Sequence, residues 1–272
     1  MTGSLNIGII GYGNVGSHLA SRLAVVGYTP RVILTSNPSK IDSKLSSQIV
    51  SEISSIEQPL DIVFTTVTDD QIATVFKALE GKASILVHCS GSTPLIEVNV
   101  PSGVMYPLQT FTAGFKVNWD HIPFFIEATD NSTLKQLSSI AEKLGGSVIE
   151  STTDQRKRIH LAGVIGNNFT NHLLQLAGSI LEEAGQGLDV IKPLIEETLK
   201  KAYNIGPTEA QTGPAKRGDI QLMECQLQMI DANPELKKLY LDFVSSIQAS
   251  QKLVTWTYSD QSKPLSLMLT AF

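Results

Sequence analysis

The stretch Leu5-Asn6-Ile7-Gly8-Ile9-Ile10-Gly11-Tyr12-Gly13-Asn14-Val15-Gly16 decides how the chain folds. Leu5, Ile7, Ile9 and Ile10 form a short apolar run suited to a buried parallel strand, and Gly11, Gly13 and Gly16 follow it at the G-x-G-x-x-G spacing. The three glycines have separate duties. Gly11 permits a tight turn, Gly13 lets the backbone approach a pyrophosphate, and Gly16 lets the helix that starts here lie close on the strand. Free N–H groups and the positive dipole end of that helix then face the phosphates, which assigns Gly11, Gly13, Asn14, Val15 and Gly16 to a dinucleotide. Glycine-rich turns also occur for structural reasons alone. Here Leu19, Leu23 and Val26 recur at helical spacing up to a stop at Gly27, and Arg31-Val32-Ile33-Leu34-Thr35 reads as a second strand, so the glycines sit in a βαβ unit.

Composition narrows the class. With 272 residues, 42% of them hydrophobic, the chain has material for two domains or one large one. A net charge of -5 argues against nucleic acid, because no basic face appears beyond Arg156-Lys157-Arg158 and Lys216-Arg217. The first of these clusters reads as a solvated surface. Cys89 and Cys225 are too far apart in sequence for a disulfide framework, and Cys89 reads as a small apolar filler. No metal site is expected. No uncharged apolar run approaches membrane length and no signal sequence precedes the first strand, so a cytoplasmic protein with no membrane partner is expected.

After the second strand comes Thr35-Ser36-Asn37-Pro38-Ser39-Lys40, where a dinucleotide fold meets the adenosine ribose. An NAD enzyme places Asp or Glu there, whereas a 2′-phosphate needs donors and positive charge. No acid occurs from Arg31 to Lys40, and Ser36, Asn37 and Lys40 can donate, so NADP is expected rather than NAD. An Asn-Pro turn into a short helix would explain the same residues. Asp61 to Val67 is another buried strand, and Thr66, Val67 and Thr68 at its carboxyl end are expected to line the cofactor, with Asp69 or Asp70 capping the next helix. Ala83 to Cys89 is a further strand, and the hydroxyl-rich turn Ser90-Gly91-Ser92-Thr93-Pro94 is expected to reach the nicotinamide end. Strand-like runs at 103–106, 123–128 and 147–150 follow, with a helix between the last two. From Thr153 the pattern is helical nearly to Ser250. The expected division is therefore a Rossmann-type domain over 1–150, with a doubly wound and mostly parallel sheet, and an all-α domain over 151–272. The tail from Trp256 to Phe272 shows no clear pattern.

A helix from about Asp154 to Ala184 holds the candidate chemistry. At 100° per residue His160, Val164, Asn167 and Asn171 share one stripe, and Leu161, Ile165, Phe169, Leu173 and Leu176 form the opposite apolar face. His160 and Asn168 can satisfy neighbouring loops. They can equally act as a proton donor or acceptor and as a group orienting a substrate oxygen. In Thr212-Gly213-Pro214-Ala215-Lys216-Arg217-Gly218-Asp219, Arg217 can clamp a substrate carboxylate or phosphate, or pair with Asp219 to hold the turn.

Taken together, Gly11 to Gly16, His88-Cys89-Ser90-Gly91-Ser92, Tyr106-Pro107-Leu108-Gln109-Thr110-Phe111, His160 to Val164, Asn168 to His172 and Thr212 to Asp219 resemble a family of Rossmann-like NADP oxidoreductases carrying a helical C-terminal domain of unknown function. The layout is more distantly similar to pyrroline-5-carboxylate reductase and to the 3-hydroxyisobutyrate and 6-phosphogluconate dehydrogenases. The resemblance implies NAD(P) in the first domain and a homodimer formed through the helical one. Two positions depart from it. Val164 stands where the hydroxyacid relatives have a catalytic Lys one turn before Asn168, and Tyr106 stands where the family has His. Two classes of function follow. One is an NADP-dependent oxidoreductase acting on a small C=O or C=N substrate, with His160 as acid/base, Asn168 positioning and Arg217 anchoring. The other is a nucleotide-binding sensor or assembly protein that kept the cofactor crevice, Ser90 included, without turnover.

Overall fold

A computed structural model of the protein describes residues 5–251, so the tail from Trp256 to Phe272 lies outside the described residues. The chain divides after Asn168 into two compact units.

The first unit is built on eight strands, β1 (Ile7–Ile10), β2 (Val32–Leu34), β3 (Gln48–Val50), β4 (Leu60–Thr65), β5 (Ala83–His88), β6 (Ser102–Pro107), β7 (Pro123–Ala128) and β8 (Ser147–Glu150). Their order across the sheet is β3-β2-β1-β4-β5-β6-β7-β8. All neighbours are parallel except β6 and β7. Successive strand side chains point to opposite faces, so the apolar runs β1 and β4 need cover on both sides. Ile9 and Phe64 pack in one cluster with Leu19, Ala20 and Leu23 of α1 (Asn14–Val25) and Leu137, Ile140 and Ala141 of α3 (Asn131–Lys143). Ile10 and Val63 point the other way, to Ile72, Phe76 and Leu79 of α2 (Asp69–Leu79). This is the doubly wound, mostly parallel sheet that the sequence pattern predicts.

The unit ends on α4 (Thr153–Gly163), which starts with a capping box. The Thr152 side chain accepts the Gln155 N–H, and the Gln155 side chain returns to the Thr152 N–H. The long regular helix expected over 154–184 is interrupted. A π-helical segment, Val164–Phe169, separates α4 from α5 (Thr170–Glu183). An i→i+5 turn changes the angular step, so the stripes drawn at 100° per residue lose their phase at Val164. The apolar stripe is not a core face either: Leu161, Ile165, Phe169 and Leu173 are 58, 57, 55 and 37% exposed.

In the second unit α5 is followed by α6 (Lys192–Ile205), the short α7 (Pro207–Ala210) and α8 (Pro214–Arg217), then α9 (Ile220–Met229) and α10 (Pro234–Ser250). Ala215, Met223 and Val244 form its small core, with Ile220, Tyr240 and Ile247 against it. Asp219 caps α9 by accepting the Leu222 N–H at 3.3 Å, and Asn233 caps α10 by accepting the Leu236 N–H at 3.0 Å. Neither α5 nor α6 buries any of its residues. Among the described residues no helix is long and apolar enough to cross a membrane, and no group of three or more His, Cys, Asp or Glu could hold a metal ion.

Candidate active site

Strand register sets the site. Ile10 pairs with Leu34 and Thr65, and Thr65 with His88, so β2, β1, β4 and β5 end in one row. The chain order reverses between β1 and β4, which is where ligands sit in open α/β sheets. Gly11 leaves this row with φ +95°, its N–H donating to the Leu34 carbonyl at 2.9 Å. Thr66 Oγ1 donates to the Gly11 carbonyl at 2.7 Å. A Cβ on Gly16 would lie 2.1 Å from that carbonyl oxygen and 2.5 Å from Thr66 Oγ1, so only glycine lets α1 come this close.

Gly13 is different, because a Cβ there would meet nothing within 4 Å. It precedes α1, and no side chain accepts the first N–H groups of the helix. Those orphan donors and the helix dipole face open space, an arrangement that fits a phosphate group. A cavity of about 810 Å³ opens beside Gly13 and Asn14 and is lined further out by Lys40, Asp42 and Lys116. Ser36, Asn37 and Lys40 are exposed beyond β2. Asn37 is tied locally, its N–H to Thr35 Oγ1 at 3.1 Å and its Oδ1 to the Ser39 hydroxyl at 2.6 Å.

At the far side of the row, the 90–94 turn leaves β5. Ser90 Oγ accepts the N–H groups of Ser92 and Thr93 at 3.1 and 3.0 Å, and the Ser92 hydroxyl donates to Asp69 Oδ2. The expected cap of α2 by Asp69 or Asp70 is therefore corrected. Thr68 is the N-cap residue and makes no side-chain cap, both acids lie in the first turn, and the Asp69 carboxylate serves the serine turn instead. Gly91 presses on two rings, since a Cβ there would stand 2.7 Å from His160 Nδ1 and 2.8 Å from Tyr106 Cζ. Tyr106 Oη and His160 Nδ1 are 3.0 Å apart, with the rings edge-on.

Arg156, one helical turn before His160, corrects the solvated-surface reading of the 156–158 cluster. It is fully buried, donates from Nη1 to Glu127 Oε2 and from Nη2 to the Thr93 carbonyl at 2.6 Å. Glu127 also accepts the Thr153 N–H at 3.0 Å. One ion pair thus joins β7, the start of α4 and the serine turn.

His88 anchors the other end of that turn. Its Nδ1 accepts the Ser90 N–H at 3.2 Å while Nε2 lies 3.1 Å from the Pro94 carbonyl, which fixes the neutral ring with its hydrogen on Nε2. Burial pushes its pKa down from 6.5 to about 4, against the pull of the Pro94 carbonyl. The unfolded chain then binds a proton that the folded chain refuses. Stability from this group should be complete above pH 6.5 and fall as the pH drops from 6.5 to about 4, by about 3 kcal/mol in all. Urea unfolding across that range checks this, with His88→Gln as control. A slope that survives the substitution would remove His88 from the account.

Of the residues singled out in the sequence, the first unit brings the 90–94 turn against His160, and gathers Gly11, Gly16 and Thr66 around one carbonyl. Val67 also touches this knot, 3.1 Å from a Cβ on Gly11. Asn168 is exposed at the end of the π segment, with its Oδ1 accepting from Asn167 Nδ2 at 3.1 Å. Arg217, in the second unit, is 60% exposed with Nη2 3.8 Å from Asp219 Oδ2. The Glu127–Arg156 pair had no role in the sequence reading, Asp69 was read only as a helix cap, Gly91 only as part of the 90–94 turn, and Tyr106 only as a departure from the family pattern. The detectable signal was Glu127, a charge inside the apolar run Pro123-Phe124-Phe125-Ile126-Glu127-Ala128 that calls for a buried partner.

Strand order, glycine knot and open helix start define a Rossmann-type dinucleotide-binding fold. Residues 6–91 match the family described as NADP oxidoreductase, coenzyme F420-dependent, and residues 122–247 match a domain of unknown function (DUF2520). A protein from Bacteroides fragilis, provisionally described as an NADP oxidoreductase, is 32% identical with a TM-score of 0.85, over 90% of this chain and 98% of that one. The chain belongs to this family of Rossmann NADP oxidoreductases with a DUF2520 C-terminal domain. The fold is shared with an imine reductase from Myxococcus stipitatus in complex with NADP+, at 15% identity and a TM-score of 0.61 over 91% of this chain and 94% of that one. It is shared also with the NADP-bound pyrroline carboxylate reductase of Plasmodium falciparum, at 14% identity and a TM-score of 0.56 over 91% and 97%. No curated protein sequence matches the chain.

Proposed function

We propose that the protein is an NADP-dependent oxidoreductase that moves a hydride between nicotinamide and a small C=O or C=N substrate. The uncapped first turn of α1 beside the open Gly13 carries this reading, and membership of the family supports it. Gly11, Gly13, Asn14, Val15 and Gly16 would hold the diphosphate, and Thr66, Val67, Thr68 and Ser90 would line the rest of the coenzyme. Ser36, Asn37 and Lys40 offer donors and a cation with no acid between Arg31 and Lys40, which favours a 2′-phosphate. The coenzyme would supply the hydride. The chain must exclude water and move a proton. His160 serves as acid/base, while Asn168 and Arg217 keep the roles read from sequence, one orienting a substrate oxygen and the other binding an acidic group.

The reading includes a homodimer formed by a second copy over the exposed apolar residues of α5 and α6, among them Ile180, Leu194 and Leu199. Sedimentation equilibrium should give twice the chain mass, and a monomer at micromolar concentration would remove this part. Turnover is tested with C4-deuterated NADPH and NADH against small oxoacids, cyclic imines and coenzyme F420, following deuterium into product. Transfer from NADPH in preference to NADH is expected. Tighter binding of NADH would overturn the choice of coenzyme, and tight NADPH binding without transfer to any acceptor would favour a nucleotide sensor.

A further inference from the structure

Tyr106 reaches the carboxyl edge of the sheet from β6, and His160 comes to it from α4. Tyr106 Oη and His160 Nδ1 are 3.0 Å apart, and the Gly91 backbone closes on both rings. Four other ionisable groups on the elements around this pair are engaged, and Asp154, Lys157 and Arg158 of α4 are exposed. Asp69 takes the Ser92 hydroxyl, Glu127 and Arg156 hold each other, and His88 is held between the Ser90 N–H and the Pro94 carbonyl. His160 Nε2 has no hydrogen-bond partner among the described residues, and the ring is half-buried. Burial raises the Tyr106 phenol above its ordinary value, so it stays protonated and remains a donor.

We infer that Tyr106 and His160 form a two-ring proton relay in which Tyr106 is the catalytic residue that exchanges the substrate proton and His160 is the positioning and reserve group behind it. This rests on the oxidoreductase reading above and refines one part of it, since His160 then serves as acid/base through the Tyr106 hydroxyl and not by direct contact with substrate. During reduction the substrate carbon takes its hydride from the reduced nicotinamide. The Tyr106 Oη–H bond breaks and its proton goes to the carbonyl oxygen or imine nitrogen. At the same time the Nδ1–H bond of protonated His160 breaks and that proton goes to Oη. Tyr106 ends as a phenol and His160 as a neutral ring with hydrogen on Nε2. Once product leaves, water returns a proton through the same hydroxyl. Reduction therefore needs the protonated couple and oxidation the neutral one, so the pH profile for reduction lies to the acid side of that for oxidation.

Two variants of the full chain test this: Tyr106→Phe, and Tyr106 replaced by 3-fluorotyrosine, which keeps the ring shape but has a more acidic phenol. The His160 ring nitrogens are titrated by NMR in ¹⁵N-histidine-labelled protein without coenzyme. NADPH oxidation is followed with 1-pyrroline and glyoxylate. The relay predicts that both variants displace the His160 titration. It also predicts that Tyr106→Phe slows reduction by about 100-fold or more with NADPH affinity unchanged, and that fluorotyrosine moves the pH profile. A purely structural tyrosine would leave the fluorotyrosine titration and profile where they are in the wild type. An unchanged His160 titration in both variants overturns the relay, as does a wild-type rate in Tyr106→Phe. The titration decides alone where a probe is not reduced. Failure of the wild type to bind NADPH would contradict the oxidoreductase reading instead, since the titration needs no coenzyme.

Discussion

Glu127→Gln should lower the stability of the first unit by about 4 kcal/mol, more than Arg156→Met does, although both break the same ion pair. The asymmetry follows from burial. Arg156 is fully buried, whereas the Glu127 side chain keeps 18% of its surface in contact with solvent and has the Thr153 N–H and hydroxyl as further donors. Removing the carboxylate leaves a guanidinium in the interior with the Thr93 carbonyl and no counter-charge. Removing the guanidinium leaves a carboxylate with other partners, which places Arg156→Met near the lower end of the roughly 3–5 kcal/mol range for a broken buried pair. For a chain of this size the larger loss should move the thermal midpoint by roughly 10 °C. Calorimetry of both variants reads the order directly, and equal losses would mean that the charge on Arg156 is compensated elsewhere. Arg156 also tethers the turn that touches His160, so each variant should weaken turnover beyond its effect on folding.

Gly13→Asp should separate folding from coenzyme binding. Nothing lies within 4 Å of a Cβ at Gly13, its φ of -81° suits any residue, and aspartate is a favoured residue at a helix start. The variant should fold at least as stably as the wild type, with its carboxylate capping the first turn of α1. That cap occupies the donors and places negative charge where the diphosphate would rest. NADPH affinity should fall by about 100-fold, close to 3 kcal/mol. Fluorescence titration and a thermal melt of the same sample report the two effects. Unchanged affinity would move the phosphate site away from α1. Gly16→Ala is the contrasting case, because its Cβ would collide with the Gly11 carbonyl and disrupt the fold itself.

Features decided by neighbouring residues could be read from the sequence. The strand, glycine turn and helix of Leu5 to Val26 are of this kind, as are the breaks at Gly185 and Gly206, just past the ends of α5 and α6, and at Pro234, which opens α10. Features decided by residues distant in sequence could not. Arg156 opens a basic triplet and looks solvated as part of it, but on a helix adjacent residues point about 100° apart, so one can face inward while Lys157 and Arg158 stay exposed. Its partner lies 29 residues away on β7. Asp69 was read as a helix cap because it follows a strand, and the hydroxyl that engages it comes from a different turn. The π segment was hidden by the assumption of one angular step throughout, although Gly163 and Gly166 already weakened the helix there. Tyr106 gains its meaning only from His160, across 54 residues of chain.

The most direct measurement is isothermal titration of the folded, full-length wild type with NADPH. The account predicts saturable binding of one coenzyme per chain, tighter than for NADH and lost in Gly13→Asp. A folded protein that takes up neither coenzyme at millimolar concentration would contradict it.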